Sequence, residues 1–194
     1  MPLVHFDGGI YVVDAMHMVK SAINVLRRYE AVGFDTETRP SFQKGRGHKL
    51  ALIQLSTPNE CFLFRVNKIG VPGALADYLA DENCKKIGLS TPDDFNALHR
   101  VSNVKPAGFI ELQQLVKTYG IEDMSLQKIY AIIFGKKISK NQRLTNWELP
   151  ELTDAQKVYA AIDAWACLKI YDELTQGRFD GNKSPYKIID DEEV

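Results

Sequence analysis

The chain is short of cysteine, free of long apolar runs and nearly neutral, and each shortage excludes something. Its three cysteines, Cys61, Cys84 and Cys167, are odd in number, far apart and form no Cys-x-x-Cys pair. That excludes a disulfide framework and a zinc cage, and it fits a reducing intracellular compartment. No apolar run approaches the ~18 residues that a membrane span needs, so no membrane partner is expected. Met1 to Gly9 lacks the basic-then-apolar pattern of a signal peptide, which makes a cytoplasmic location the expectation. No Ser/Gly/Pro-rich stretch interrupts the middle of the 194 residues. One core of ordinary size is therefore expected over residues 1–176, with 177–194 as a tail. The net charge of −1 includes the closing acids Asp190, Asp191, Glu192 and Glu193. Without them the body is positive, which suits a polyanionic partner.

What is present centres on Ala31-Val32-Gly33-Phe34-Asp35-Thr36-Glu37-Thr38. This reads as a short apolar strand, Ala31 to Phe34, running out into two carboxylates. Side chains alternate along a strand, so Asp35 and Glu37 point the same way, ~6.6 Å apart along the backbone. Like charges so placed raise each other's pKa unless something positive sits between them. A hard divalent cation held by oxygen ligands would do this; acids facing water at a strand end are the alternative.

Around this stretch the pattern alternates strands and helices. Ile10 to Val13 reads as a strand, with Asp14 as N-cap of a helix over Ala15 to Tyr29. Leu50 to Ser56 and Cys61 to Val66 read as a hairpin about Thr57-Pro58-Asn59-Glu60, and with the Ala31 strand they form an antiparallel meander. Gly73 to Leu79 reads as a helix and Lys86 to Leu89 as a strand. Thr91 then caps a helix that opens on Pro92 and carries Asp93, Asp94, Phe95 and Leu98. Ala107 to Ile110 reads as a strand. Helices follow at Glu111 to Tyr119, at Leu126 to Phe134 with Ser125 as cap, and at Asp154 to Leu174. The sum is a mixed α/β sheet. The loop from Arg39 to Lys49, rich in basic side chains, is either a solvated connection or a flap that contacts phosphate.

Two further acids join the first pair. Tyr159 and Asp163 lie four apart on one face of the last helix, a face continued by Ala166 and Ile170. An aspartate on such a stripe is costly unless paired or bound to metal. It is therefore either a buried hydrogen-bonded partner of Tyr159 or a metal ligand beside a phenol that orients water. Asp94 stands four before apolar Leu98, which places it toward the core; Asp93 is the competitor for the same role.

Phe34-Asp35-Thr36-Glu37, Leu52-Ile53-Gln54-Leu55, Lys86-Ile87-Gly88 leading to Asp94, Thr145-Asn146-Trp147 and Leu152-Thr153 through Gln156 to Tyr159-Ala160-Ala161-x-Asp163 follow in that order. Together they resemble the 3′–5′ exonucleases of the DEDD superfamily, nearest the Werner-type exonuclease domains and more distantly ribonuclease D. Where the histidine branch has His five residues before the last Asp, this chain has Val158; Tyr159 fits the tyrosine branch.

The resemblance implies a ribonuclease H-like fold, a mixed sheet of about five strands flanked by helices. It implies two divalent cations, Mg²⁺ or Mn²⁺, held by Asp35, Glu37, Asp94 and Asp163, with Tyr159 orienting the attacking water. The implied partner is nucleic acid with a free 3′ end, DNA favoured, cut to nucleoside 5′-monophosphates. Ribonuclease D-like trimming of RNA and a silent nucleic-acid-binding module are the alternatives. Candidate substrate contacts are Thr36 through its backbone, Phe95 by stacking on a base, and Arg46, Lys49 and Arg143 on phosphates. For Phe95 a place in the core is the competing reading.

Overall fold

The computed structural model describes residues 1–41, 43 and 49–184. Its strands are β1 (Gly9–Val13), β2 (Ala31–Arg39), β3 (Lys49–Ser56), β4 (Glu60–Arg65), β5 (Lys85–Gly88) and β6 (Phe109–Glu111). Its helices are α1 (Met16–Leu26), α2 (Val66–Ile69), α3 (Gly73–Leu79), α4 (Thr91–His99), α5 (Leu112–Leu115), α6 (Leu126–Phe134) and α7 (Asp154–Thr175). The strands form one sheet of order β1-β4-β3-β2-β5-β6, one strand more than the five expected. β2, β3 and β4 pair antiparallel as the meander required, while β1, β5 and β6 add parallel. No helix among the described residues is long and apolar enough to cross a membrane.

Alternation along the strands gives each face of the sheet its own core. Val32 and Phe34 of β2, Ile53 and Leu55 of β3 and Phe62 and Phe64 of β4 pack against α1, α3 and α4. The opposite face takes α7, whose Ala160, Ala161 and Ala164 are fully buried. Small residues there let the helix lie close on the sheet, and Gly33 lets it lie closer still. A Cβ on Gly33 would stand 1.8 Å from the carbonyl oxygen of Ala164, far inside contact. This approach sets α7 beside the strand that carries Asp35 and Glu37.

Helix ends place the remaining acids. Thr153 and Gln156 form a reciprocal capping box at the start of α7, each side chain bonding the other's backbone N–H. The cap of α4 differs from the expectation. Its N-cap is Ser90, in the left-handed region at φ 57° and ψ 43°, and Thr91 is already helical. The capping role passes to Glu111 at the end of β6: its carboxylate accepts from the N–H of Ser90 at 2.8 Å, and from the N–H and hydroxyl of Thr91 at 2.6 and 2.9 Å. A charged acceptor from a neighbouring strand outcompetes a local hydroxyl. Asp14 likewise does not cap α1; the N-cap is Ala15, with no side-chain bond.

Candidate active site

The site begins where β2 outruns its apolar part. Pairing with β3 carries it through Asp35, Thr36 and Glu37 to Arg39, with a register shift between Glu37 and Thr38. Gly33, Asp35 and Glu37 face α7, and α7 answers with Asp163. Carboxylate oxygens of Asp35, Glu37 and Asp163 all lie within 4.8 Å of one another.

Among the described residues no cationic side chain compensates them: no lysine or arginine makes an ion pair with any of the three. Glu37 accepts a 3.3 Å hydrogen bond from Gln54 Nε2, which also reaches Ala160 O at 3.5 Å. Oδ1 of Asp163 is buried without a partner. Desolvation raises the pKa of Asp35 to about 7. Burial first, and then the neighbouring acids, push Glu37 and Asp163 well above the usual carboxylate range. An orphaned buried oxygen within a set of converging carboxylates fits a divalent cation.

Asp94 arrives from the other side of β2. Thr36, whose side chain points away from Asp35, donates its hydroxyl to Asp94 Oδ1. Burial and the charge of Asp35 raise the Asp94 pKa well above normal. Asp93 is exposed and accepts from the Ser90 hydroxyl at 2.8 Å. Of the two competitors, Asp94 is the one turned toward the acids.

Tyr159 is buried, with its ring 6.0 Å from the fully buried Trp147. Burial, then Asp163, Glu37 and Asp35, raise the phenol above its ordinary pKa, so at neutral pH it is a neutral hydroxyl.

A cleft of about 580 Å³ reaches Glu37 and Asp94 but is not lined by Asp35, Asp163 or Tyr159; Thr36, Arg143 and Leu144 line it too. Asn96 and Arg100 also line it from α4. The sequence reading missed both, although their spacing with Asp93 marks one polar helix face. Arg143 is exposed at the cleft. Phe95 is half-buried, with its ring edge-on against Phe109, centroids 4.9 Å apart at 81°, and it is not among the residues that line this cleft. Lys49 is exposed at the start of β3 opposite Arg39, outside the lining. Arg46 and the acids Asp190 to Glu193 lie outside the described residues.

Comparison with known proteins agrees with this arrangement. A family model described as 3′–5′ exonuclease matches residues 10–177. The bifunctional 3′–5′ exonuclease/ATP-dependent helicase WRN of Mus musculus is 33% identical over 184 residues, covering 90% of this chain and 13% of the mouse protein. This chain thus spans a small part of that relative. The EXO domain of Aedes aegypti Nibbler superposes with TM-score 0.76 at 23% identity, covering 94% of this chain and 96% of that one. Trypanosoma brucei RNase D in complex with RNA U12 superposes with TM-score 0.75 at 21% identity, covering 86% and 62%. With a mixed sheet, carboxylates converging from β2 and α7, and a family match over most of its length, the chain belongs to the 3′–5′ exonuclease family of the DEDD superfamily.

Proposed function

We propose that the chain hydrolyses the terminal phosphodiester at the 3′ end of nucleic acid, releasing nucleoside 5′-monophosphates with the help of two divalent cations, Mg²⁺ or Mn²⁺. The observation that carries this is the convergence of Asp35, Glu37 and Asp163, with no ion pair to a lysine or arginine among the described residues. Asp35, Glu37 and Asp163 would hold one ion, and Asp35 and Asp94 the other. When bound, such ions neutralise the carboxylates, acidify water and stabilise a leaving oxygen.

The protein's own groups do the positioning. Thr36 fixes Asp94 by its hydroxyl, and Gln54 fixes Glu37. The Tyr159 phenol, held neutral, donates or accepts one hydrogen bond to orient the attacking water without taking its proton. Water adds to the terminal phosphorus as the bond to the 3′-oxygen of the penultimate nucleotide breaks. That oxygen leaves as the new 3′-hydroxyl, and the water oxygen stays on the released monophosphate. Arg143, which lines the cleft, meets the phosphate backbone.

DNA is the favoured substrate. RNA is the second reading, supported by the RNA-bound fold neighbour, whose lower identity speaks for fold alone. The test is side-by-side digestion of 5′-labelled DNA and RNA of one sequence, single-stranded and recessed, with Mg²⁺ or Mn²⁺. Shortening from the 3′ end with monophosphate release is expected, faster on DNA. Faster RNA trimming would replace the first reading with the second, and binding without cleavage would overturn both.

A further inference from the structure

Among the described residues a single arginine is buried; it holds the segment that packs against Tyr159, and no step of the proposed hydrolysis uses it. Arg65, the last residue of β4, is 1% exposed. It pairs with Leu52 of β3, and Leu52 pairs with Glu37 of β2. Directly paired residues of antiparallel strands share a face. Arg65 and Glu37 therefore point the same way, two strand spacings or about 10 Å apart.

On that face Arg65 donates from Nη1 to Pro150 O at 2.9 Å, and from Nη2 to Trp147 O at 3.4 Å and to Leu149 O. Lys68 adds a 2.6 Å bond to Pro150 O. These carbonyls belong to a segment outside every strand and helix. One planar fork thus takes the place of a backbone ladder, and loss of it would leave the carbonyls of buried Trp147 and half-buried Leu149 without this donor.

The clamped segment reaches the site by three routes. Trp147 packs its ring 6.0 Å from that of Tyr159. Glu148 accepts from Arg39 at 2.9 Å, two residues past Glu37 along β2. Thr145 and Asn146, just before it, each accept at 3.0 Å from the Gln156 side chain in the first turn of α7.

We propose that Arg65 is a positioning residue for the hydrolysis: by clamping residues 147–150 it holds Trp147 against Tyr159 and fixes the phenol beside the carboxylates. This rests on the role given above to Tyr159. It makes Arg65, far from the reacting atoms, a determinant of turnover and not of substrate binding.

The test is a double-mutant cycle. Arg65→Met, Arg65→Lys and Tyr159→Phe are made alone and in combination, and kcat and KM are measured on one oligonucleotide with Mg²⁺. Arg65→Met is expected to lower kcat about ten- to a hundredfold with KM within about twofold. Arg65→Lys keeps the charge but not the fork, and falls between. In the Tyr159→Phe background either change should cost less than about twofold more, because the group being positioned is already gone. Thermal unfolding accompanies each variant, and Arg65→Lys carries the cycle should Arg65→Met fail to fold. Equal cost in both backgrounds, or unchanged kcat in the Arg65 variants, overturns the proposal and leaves metal-dependent cleavage standing. Absence of cleavage by the parent chain overturns the function and the proposal with it.

Discussion

Glu37 is steadied from the neighbouring strand and not from its own. Gln54 stands opposite Asp35 in the register of β3, and its amide donates to Glu37 and to Ala160 O. Its own Oε1 is buried without a partner. Gln54→Leu would remove two long bonds and one orphaned acceptor together, so stability should change by only about 1 kcal/mol. Glu37, freed of its donor, should hold a cation less well. The expected outcome is a requirement for about 10–100-fold more Mg²⁺ in the cleavage assay, with thermal unfolding little altered. An unchanged Mg²⁺ requirement would show that Gln54 does not position Glu37. That Asp35 and Glu37 share a face, and that Tyr159 and Asp163 share another, is legible from strand alternation and helical spacing; that the two faces meet is implied only by the resemblance. Gln54 stood in a quoted motif, yet its partner depends on register, which no local pattern states. Glu111 was invisible for the same reason, since it acts on Ser90 and Thr91 some 20 residues earlier.

At the scale of elements, the meander, α3, α6 and α7 follow from apolar periodicity and turn residues. The apolar part of β2 ends at Phe34, and the loop is expected from Arg39. Pairing of Asp35 with Gln54 and Glu37 with Leu52 extends the strand to Arg39, so tertiary pairing overrides propensity. The helix expected over Glu111 to Tyr119 divides into α5 and a 3₁₀ turn, Val116–Tyr119, closed by Gly120 at φ 80°. Lys86, read only as part of a strand, is fully buried. It donates to Tyr78 O at 3.0 Å and Asp81 O at 2.8 Å, tying α3 and the turn after it to β5. For β2 and Lys86 the deciding partner lies on another element.

For the whole molecule, the acid cluster sets a conflict between folding and charge. Asp35, Glu37, Asp94 and Asp163 all have pKa values raised in the folded chain, Asp35 to about 7. Between the ordinary carboxylate pKa of about 4 and that raised value, the folded state binds more protons than the unfolded one. Stability of the metal-free protein should therefore fall as pH rises from about 5 to about 8. Mg²⁺, which binds the deprotonated acids, should restore it more at the upper end than at the lower. Thermal unfolding with EDTA and with Mg²⁺ at both pH values checks this, and a Tm independent of both would count against the cluster as a cation site.

The most direct measurement follows a 5′-labelled oligonucleotide with a free 3′ end, incubated with the parent chain and with Asp163→Asn, in Mg²⁺ or Mn²⁺ and in EDTA. The substitution keeps the shape of the side chain and removes its charge. The account predicts stepwise shortening from the 3′ end by the parent only with metal. It predicts that Asp163→Asn loses more than the roughly 10–100-fold that removal of a ligand's supporting partner costs. Cleavage that persists in EDTA, or an Asp163→Asn chain as fast as the parent, would contradict it.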